Sequence, residues 1–407
     1  MKILCFGSCN IDMVYAVDHI LRPGETMAAD ALQMFPGGKG LNQAIALARA
    51  GASVEFAGCI GPDGQFLRDT LTDCGVDLRH LRTVEEKTGH AIIQVDKGAE
   101  NAILIFAGAN GMVTKAQIEE TLADFSAGDF LLVQNEINLL PELVQAAAEI
   151  GMQIVFNPSP LNAQARAVDL HHVQYLLVNE TEARGMTGSD EPSALQTCIR
   201  QNAPHLKIVL TRGKQGSIYF DAERTYVQQA FKVKSVDTTA AGDTYTGYFI
   251  AGLSRGDSYQ ESMMYASAAS AIAVSREGAA SSVPTRKEVS EKLASLVLNT
   301  GNGSDPKEMV AEFLSAHYAD GTLQMLADML GYSTSHTGVW LKENLGVSFT
   351  ELVHDKRCDV CAKYLETTKL PISEIIHLVG YKNESFFRKK FTARYGCSPL
   401  TYRKRKG

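Results

Sequence analysis

The sequence lacks the features that mark secreted, membrane and zinc-binding proteins. Its eight cysteines do not have the spacing of a disulfide framework. Cys358 and Cys361 form one Cys-x-x-Cys, but no second pair or histidine cluster completes four zinc ligands, so packing inside a helix is expected. The apolar run after Met1 is too short for a signal peptide or a membrane span. These absences predict a cytoplasmic protein with reduced thiols.

Tryptophan is scarce, with one residue in 407, but apolar residues make up 45% and charged residues 21%, which is typical of globular proteins. The length predicts two or three domains. The net charge of -7 is unevenly distributed, because residues 380–407 hold nine Lys or Arg against Glu384 alone. A basic end on an acidic body indicates contact with a polyanion, although charge alone also allows a solvated tail.

Residues 1–285 alternate short apolar runs with helical patterns, which predicts an α/β layered sheet that is largely parallel. The predicted strands are Ile3–Gly7, Val54–Ala57, Phe130–Gln134, Ile154–Asn157, Tyr175–Val178 and Ile208–Thr211. Two further segments, Ala91–Val95 and Ala102–Ala107, have no helix between them and predict an antiparallel β-flap beside the main sheet.

Residues 299–306 favour turns and predict a linker between a domain at 1–298 and a domain at 307–407. The second domain is helical in pattern and contains an internal repeat. In each half, a short helix ends at a Gly-Tyr turn, and a second helix ends at Gly346 or Gly396. A helix over 352–367 connects the halves, so two helix-turn-helix units are predicted.

The segment 235–244 carries the pattern expected for phosphoryl transfer. Small residues open a helix that runs from about Asp243 to Leu253, and free amides at a helix start attract anions. Asp243 in the first turn is placed to take a proton from an attacking hydroxyl. A favourable first-turn charge is the alternative explanation for this carboxylate.

A second pattern, Pro36-Gly-Gly-Lys-Gly40, opens another helix and is not a Walker A loop, since the preceding Gly and following Ser/Thr are missing. It could be a flexible turn. With Asn42 one turn further on, it can instead hold a ligand rich in hydroxyls. Asp12 follows the first strand, at the edge where open α/β sheets bind ligands, and suits paired sugar hydroxyls.

These motifs occur in a fixed order at 7–12, 36–44, 98–110, 179–182 and 237–243. In that order they resemble the PfkB/ribokinase family, over roughly residues 1–285. The resemblance implies a ribokinase-like fold, ATP as phosphoryl donor, Mg²⁺ and K⁺. It also implies that Asp243 is the general base, with an anion hole formed by the amides of Ala240, Ala241 and Gly242.

The resemblance assigns the other site residues by class. The sugar site would comprise Asp12, Gly38, Lys39, Asn42 and Glu136. Contacts to phosphates, Mg²⁺ and nucleotide would come from Asn179, Glu182, Thr211, Gly213 and Gly216. The potassium site would comprise Asp237, Thr239, Ala273, Arg276, Gly278 and Ser282. A dimer-forming flap would correspond to residues 12–17, 26–34 and 91–106.

The last hundred residues resemble the AraC/XylS-type DNA-binding domain, most closely over 371–403. Phe387 and Phe391 are expected to anchor a helix whose outward face reaches duplex DNA in the major groove. The expected DNA contacts are Ser335, His336 and Val339 in the first unit, and Ser385, Arg388 and Lys389 in the second. Bundling or protein binding is the alternative for these helices.

Together the two regions predict an ATP-dependent kinase for a small sugar, with ribose or a related pentose favoured, coupled to sequence-specific DNA binding and transcriptional regulation. The alternative is a transcription regulator that senses sugar through a kinase fold with little or no turnover. No membrane partner is predicted.

Overall fold

In the computed structural model, the described residues are the whole chain except Ala99, 300–305, Gly331, Ser333, Lys369, Lys382 and Gly407. The backbone packing divides the chain into two compact units, residues 1–300 and residues 301–407. Each unit has hydrophobic clusters of its own. The predicted linker, residues 299–306, falls largely outside the described residues.

The described part of the first unit contains two sheets. Its strands are β1 (Ile3–Phe6), β2 (Asn10–Ala16), β3 (Ala31–Gly37), β4 (Val54–Ile60), β5 (Asp77–Thr83), β6 (Gly89–Val95), β7 (Asn101–Phe106), β8 (Phe130–Gln134), β9 (Gln153–Asn157), β10 (Val173–Asn179), β11 (Lys207–Thr211), β12 (Ser217–Phe220) and β13 (Thr225–Gln228). The main sheet has the order β13-β12-β11-β10-β9-β8-β1-β4-β5. Its pairs are parallel except at the β11-β12-β13 edge, which confirms the predicted topology.

Both faces of the main sheet are covered, which explains why its central strands are continuous apolar runs. Side chains of a strand alternate between the faces. In β1, Ile3 and Cys5 join one hydrophobic cluster, and Leu4 and Phe6 join the other. The polar side chains that follow these strands are therefore held at the sheet edge by a rigid core.

Helices pack on both faces of this sheet. They are α1 (Lys39–Arg49), α2 (Gln65–Asp73), α3 (Lys115–Leu122), α4 (Leu140–Glu149), α5 (Ala163–Ala167), α6 (Glu180–Thr187), α7 (Pro192–Asn202), α8 (Ala241–Arg255), α9 (Tyr259–Val274) and α10 (Arg286–Asn299). Helices α1 and α8 pack closely, because a Cβ added at Gly247 of α8 would overlap Ala46 of α1. This close approach determines the distance between the two helix starts.

The flap is a separate four-stranded sheet in the order β3-β2-β6-β7, and its β6-β7 pair is antiparallel as predicted. The predicted flap segment 26–34 begins too early, because β2 ends at Ala16, which pairs with Ala31. Residues 26–30 therefore lie before the strand, although the Asp30 amide still donates to the Ala16 carbonyl at 2.8 Å. One flap face is apolar and exposed, with Met34 at 61% and Leu104 at 67% exposure.

The second unit is helical in its described residues. Its helices are α11 (Pro306–His317), α12 (Leu323–Leu330), α13 (Thr334–Leu345), α14 (Phe349–Thr367), α15 (Ile372–Leu378), α16 (Glu384–Tyr395) and α17 (Pro399–Lys406). Helix α14 begins at a reciprocal cap in which Ser348 and Glu351 bond each other's backbone amides. The pairs α12–α13 and α15–α16 match the predicted repeat, and α14 is the predicted connecting helix.

Two small cores stabilise this second unit. Phe387 and Phe391 of α16 are completely buried in one core, as predicted, and pack there with Cys358 and Cys361. Burial raises the pKa of Cys358 to about 11, so this thiol is packed in its neutral form. In the described part of the chain, no helix has both the length and the apolar character needed to cross a membrane.

Candidate functional site

Polar side chains gather where the parallel strands of the main sheet end. Strands β8, β9, β10 and β11 end in Gln134, Asn157, Asn179 and Thr211, and α8 carries Asp243 in its first turn at the same edge. A cavity of about 210 Å³ opens at this edge. It is lined by Lys39, Asn157, Ser159, Leu177, Val178, Asn179, Glu182, Thr211, Gly242, Asp243 and Thr246. Phosphate-sized ligands fit such a space between a sheet edge and a helix start.

The start of α8 combines a carboxylate with unbonded amides. Asp243 is buried, at 5% exposure, yet it lines the cavity. Among the described residues, no group accepts the amide hydrogens of Ala240 or Gly242. The Ala241 amide differs from the prediction, since it donates to the Thr238 carbonyl at 3.2 Å where residues 238–241 close a tight turn. Two of the three predicted anion-hole amides are therefore free.

Two adjacent side chains of α1 hold the Asp243 carboxylate. Asn42 Nδ2 donates to Oδ2 at 3.3 Å, and Gln43 Nε2 donates to Oδ1 at 2.8 Å. The other polar atom of this amide, Asn42 Oδ1, is buried and has no hydrogen-bond partner in the part of the chain that the structure describes. A buried acceptor without a hydrogen bond destabilises the fold unless a ligand hydroxyl donates to it. Gln43 was not among the predicted site residues.

The beginning of α1 carries the predicted sugar residues. Gly38 has a φ of 90°, and a Cβ there would lie 2.9 Å from the Asn10 nitrogen, so a glycine is required. Lys39 projects into the cavity, where the charges of Asp243, Glu136 and Glu182 raise its pKa. The ammonium group is therefore firmly protonated and available to an anion.

Glu136 has a structural role in addition to the predicted one. Its Oε2 accepts from Ser8 Oγ and, at 2.9 Å, from the Lys39 amide at the first turn of α1. The carboxylate therefore caps a helix start, which stabilises both the helix and the charge. One of its two oxygens is thus committed within the fold, and the other remains for a ligand.

Asp12 of β2 lies near two other carboxylates, those of Glu136 and Asp243. A Cβ at Gly37 would overlap the Asp12 carboxylate, so the neighbouring strand can approach it only with glycine. Burial raises the pKa of Asp12 to about 7, and the charges of Glu136 and Asp243 act in the same direction. A ligand that donates hydrogen bonds to the Asp12 carboxylate would offset the cost of burying its charge.

Asn179 and Glu182 form a reciprocal cap at the start of α6. Asn179 Oδ1 accepts from the Glu182 amide at 2.9 Å, and Glu182 Oε2 accepts from the Asn179 amide at 3.0 Å. Both side chains nevertheless line the cavity. The atoms left for ligands are Asn179 Nδ2 and Glu182 Oε1.

The turn after β11 contains the predicted nucleotide residues. Thr211 lines the cavity, and Gly213 and Gly216 both have positive φ, of 51° and 89°. The Gly216 carbonyl accepts from the Arg212 amide at 2.8 Å, which closes the turn. A Cβ at Gly216 would overlap the Gln228 carbonyl, so the turn passes close to the next strand.

The predicted potassium residues lie in the loop before α8, in the last turn of α9 and in the segment that follows α9. Asp237 Oδ1 accepts from the Thr239 amide at 2.9 Å, and its Oδ2 accepts from the Gly278 amide at 3.1 Å. The Ala273 carbonyl accepts from the Arg276 amide, and Ser282 is buried nearby in the chain. In the described residues, no group of three or more His, Cys, Asp or Glu side chains could hold a metal by itself.

The sequence of this unit matches one family. Residues 1–286 match the model of the pfkB family carbohydrate kinases. The chain belongs to this family. A ribokinase of Haemophilus influenzae is 36% identical over 296 residues, which are 70% of this chain and 96% of that protein. The predicted ATP-dependent carbohydrate kinase is confirmed.

Solved structures support the pfkB family fold. The ribokinase of Cryptococcus neoformans in complex with ADP has a TM-score of 0.63 at 37% identity, covering 72% of this chain and 99% of that one. The Arabidopsis thaliana ribokinase complexed with ribose and ATP has a TM-score of 0.64 at 29% identity, covering 72% and 98%. The predicted ribokinase-like α/β fold is confirmed.

The pfkB family domain is followed by residues 326–405, which match the model of a helix-turn-helix domain, as predicted. In α16, Ser385, Arg388 and Lys389 are exposed on the face opposite the buried phenylalanines. In α13, Val339 is 52% exposed, whereas the side chains of Ser335 and His336 lie outside the described part.

Arg394 shows that not every basic residue of α16 is free. Its guanidinium bonds both oxygens of Asp359 at 2.8 and 2.9 Å, and Asp355 lies 2.9 Å away. These bonds fasten α16 to α14. Arg388, by contrast, is paired among the described residues with Glu384, one turn earlier on the same helix, at 3.2 Å.

Sequence reasoning missed Gln43, Gln134 and Asn157. Each had a weak signal in the sequence. Gln43 directly follows Asn42 in the glycine-rich motif, and Gln134 and Asn157 end predicted strands, where ligand sites of open α/β sheets occur. No pattern in the sequence indicates that the three side chains meet.

Proposed function

We propose that the first unit transfers the γ-phosphoryl group of ATP to a hydroxyl of a pentose, with Asp243 as general base. The observation that carries this proposal is the buried Asp243 carboxylate beside the unbonded Gly242 amide, at a cavity shared with Lys39. Base, anion site and cation are thus together where charge develops during phosphoryl transfer.

The step follows from these positions. Asp243 Oδ2 takes the proton of the sugar hydroxyl, whose oxygen forms the new bond to the γ-phosphorus. The bond from that phosphorus to the bridging oxygen breaks, and ADP leaves with the electron pair. The amides of Ala240 and Gly242, the α8 dipole and Lys39 stabilise the transferred group.

The sugar is held next to this centre. Asn42 Oδ1 has no hydrogen-bond partner among the described residues and would accept from a sugar hydroxyl. Asp12, Glu136 and the backbone at Gly38 would bond the remaining hydroxyls. The Arabidopsis structure was solved with ribose. That protein shares the fold of this unit over 98% of its own length, which supports a pentose as substrate.

The nucleotide would lie along Asn179, Thr211, Gly213 and Gly216. Glu182 Oε1 is a buried oxygen donor of the kind that Mg²⁺ prefers, often through water, and therefore fits a magnesium site. Mg²⁺ would neutralise charge on the phosphates. Asn179 Nδ2 would orient the same phosphates through a hydrogen bond.

A potassium site is proposed beside the anion hole. The donors are a carboxylate of Asp237, a hydroxyl of Thr239 or Ser282, and the carbonyls of Ala273, Arg276 and Gly278. These oxygen ligands suit a hard monovalent cation, and the bond from the Gly278 amide to Asp237 ties the two loops together. Such a charge would strengthen the field near the start of α8.

The second unit is proposed to bind duplex DNA and regulate transcription as a separate domain, 307–407, which follows a kinase domain, 1–298, in the sequence. Exposed Ser385, Arg388 and Lys389 on α16 would contact base edges and phosphates. The first helix-turn-helix unit would contact the adjacent major groove through Ser335, His336 and Val339.

We also propose that the apolar flap face pairs with a second copy of the chain. Contiguous exposed residues such as Leu32, Met34 and Leu104 are typical of an interaction surface. Leu104→Asp should shift the mass measured by light scattering from dimer to monomer. A monomeric wild-type protein would contradict this assignment.

The test of the kinase proposal is ADP release with ribose, measured for the wild type and Asp243→Asn. General acid–base catalysis contributes about 10²- to 10⁴-fold, so the variant should lose activity on that order while still binding ribose in a thermal-shift assay. Equal activity would exclude Asp243 as base. Ribose binding without turnover in the wild type would favour the alternative, a sugar-sensing regulator.

A further inference from the structure

Gln43 lies at the centre of a buried amide network that the proposed reaction step does not use. Its side chain is completely buried. Its Nε2 donates to Asp243 Oδ1 at 2.8 Å and to Asn157 Oδ1 at 3.2 Å. Its Oε1 accepts from Gln134 Nε2 at 2.7 Å. Both amide hydrogens and the carbonyl of Gln43 therefore have partners.

The bonds of this network run in one direction. A carboxylate oxygen can only accept, so the Gln43 atom that faces Asp243 is the NH₂ group. The Gln43 carbonyl consequently faces Gln134, which presents its own NH₂. Asn157 Oδ1 is free to accept because Asn157 Nδ2 donates to the Leu177 carbonyl at 2.9 Å. The chain of donors that ends at Asp243 requires that Oδ1 carries no proton, and within the described residues it leaves Gln134 Oε1 buried without a partner.

The surroundings leave the network little room to rearrange. A Cβ at Gly7 would overlap Gln134 Oε1, so the backbone of Gly7 lies close to that amide. On the other side, Gly247 allows α8 to approach α1 more closely than any larger residue would. Gln43 is therefore fixed in relation to Asp243 by tightly packed backbone.

We propose that Gln43 is the positioning residue of Asp243. Its bond turns Oδ1 towards the interior and leaves Oδ2 directed to the substrate hydroxyl. This inference rests on the proposed role of Asp243 as general base. Gln43 is completely buried and does not line the cavity, so it would act only through the orientation and ionisation of that carboxylate.

The first test compares Gln43→Met with Gln117→Met. Gln117 is also a buried amide of this unit, but it does not belong to the network. Its Nε2 donates to the Gly58 carbonyl at 2.9 Å. Misplacing a reacting group costs on the order of 10²-fold, so Gln43→Met should lower kcat by about that factor. The KM values for ribose and ATP should stay unchanged, and Gln117→Met should keep the wild-type kcat.

The second test uses Gln43→Glu, which keeps the shape but replaces the donor by an oxygen. Two neighbouring carboxylates cannot easily ionise together, so the acid limb of the pH–rate profile should move to higher pH. The other charged groups facing Asp243, namely Lys39, Asp12 and Glu136, are unchanged in both proteins. An unmoved limb would contradict direct contact between residue 43 and Asp243, and the kcat of Gln43→Met then tests the positioning itself.

The outcomes separate the two proposals. Full activity of Asp243→Asn would overturn the general base itself. An inactive Asp243→Asn together with wild-type kcat and pH profile in both Gln43 variants would overturn the positioning role alone. If the Gln43 variants lose their thermal transition, Gln134→Met decides, because it keeps Gln43 and removes the bond that orients it, together with the 3.8 Å bond from Gln134 Nε2 to Cys5 Sγ. An unchanged kcat in Gln134→Met would then overturn the inference.

Discussion

The two units place their charged side chains in opposite ways. In the first unit, Asp243 is buried and is held by Asn42 and Gln43, about two hundred positions away in the chain. In the second unit, Arg388 is exposed and its partner lies one turn away in the same helix. Catalysis requires preorganised charge that is shielded from water, whereas contact with DNA requires charge that is free to leave its partner.

The largest effect is expected when a hydrophobic core of the second unit is disrupted and the cores of the first unit stay intact. Phe391 is completely buried, and Phe→Ala in a core costs about 3–5 kcal/mol. Phe391→Ala should therefore unfold the second unit at a lower temperature in calorimetry, while ribose-dependent ADP release persists. Phe386→Ala, at a 44% exposed position of the same helix, is the control and should change little. Loss of kinase activity in Phe391→Ala would show that the units depend on each other.

A pH titration should affect the sugar site of the first unit, where a carboxylate is buried. The pKa of Asp12 is raised to about 7, so its carboxylate becomes protonated as the pH falls from 8 to 6. The ionised fraction then falls about tenfold, and the KM for ribose should rise by about the same factor. Asp12→Asn should bind weakly at every pH without this trend. A flat KM profile in the wild type would exclude Asp12 as a sugar ligand.

Removing one exposed charge should affect DNA binding alone. Arg388→Ala should lower the slope of log affinity against log salt by about one for a mixed-sequence duplex, measured by fluorescence anisotropy. Arg394→Ala is the informative comparison, because that guanidinium is bonded to Asp359 and Asp355. We expect it to lower the melting temperature of the second unit instead. Equal effects of the two variants would contradict the distinction.

The smallest expected effect is a change in the stability of the first helix-turn-helix unit. Gly338 lies inside α13, and a Cβ there would meet nothing within 4 Å. Gly338→Ala should therefore stabilise the second unit by about 0.5–1 kcal/mol through helix propensity, measured by urea denaturation. A destabilised variant would mean that the glycine is needed for another reason.

Much of the architecture followed from local patterns. Strand β8 has the predicted bounds, Phe130–Gln134, because a short run of buried apolar residues between turns has few alternatives. The flap segment 26–34 was less predictable, since the end of a strand depends on where its partner ends, and β2 ends at Ala16. The bonded Ala241 amide was missed for a similar reason, because the turn at 238–241 is decided by geometry and not by residue type.

The sequence alone determined the chemistry available at each end: a carboxylate at a helix start behind small residues, a glycine-rich second motif, and a basic repeat after an acidic body. The tertiary structure alone decided which amides meet that carboxylate. Gln43, Gln134 and Asn157 come from one helix and two strands, and their convergence depends on strand order and on the close packing of α1 against α8. Hydrogen bonds act over about 3 Å, so contacts between such distant positions follow from packing and leave no local pattern in the sequence.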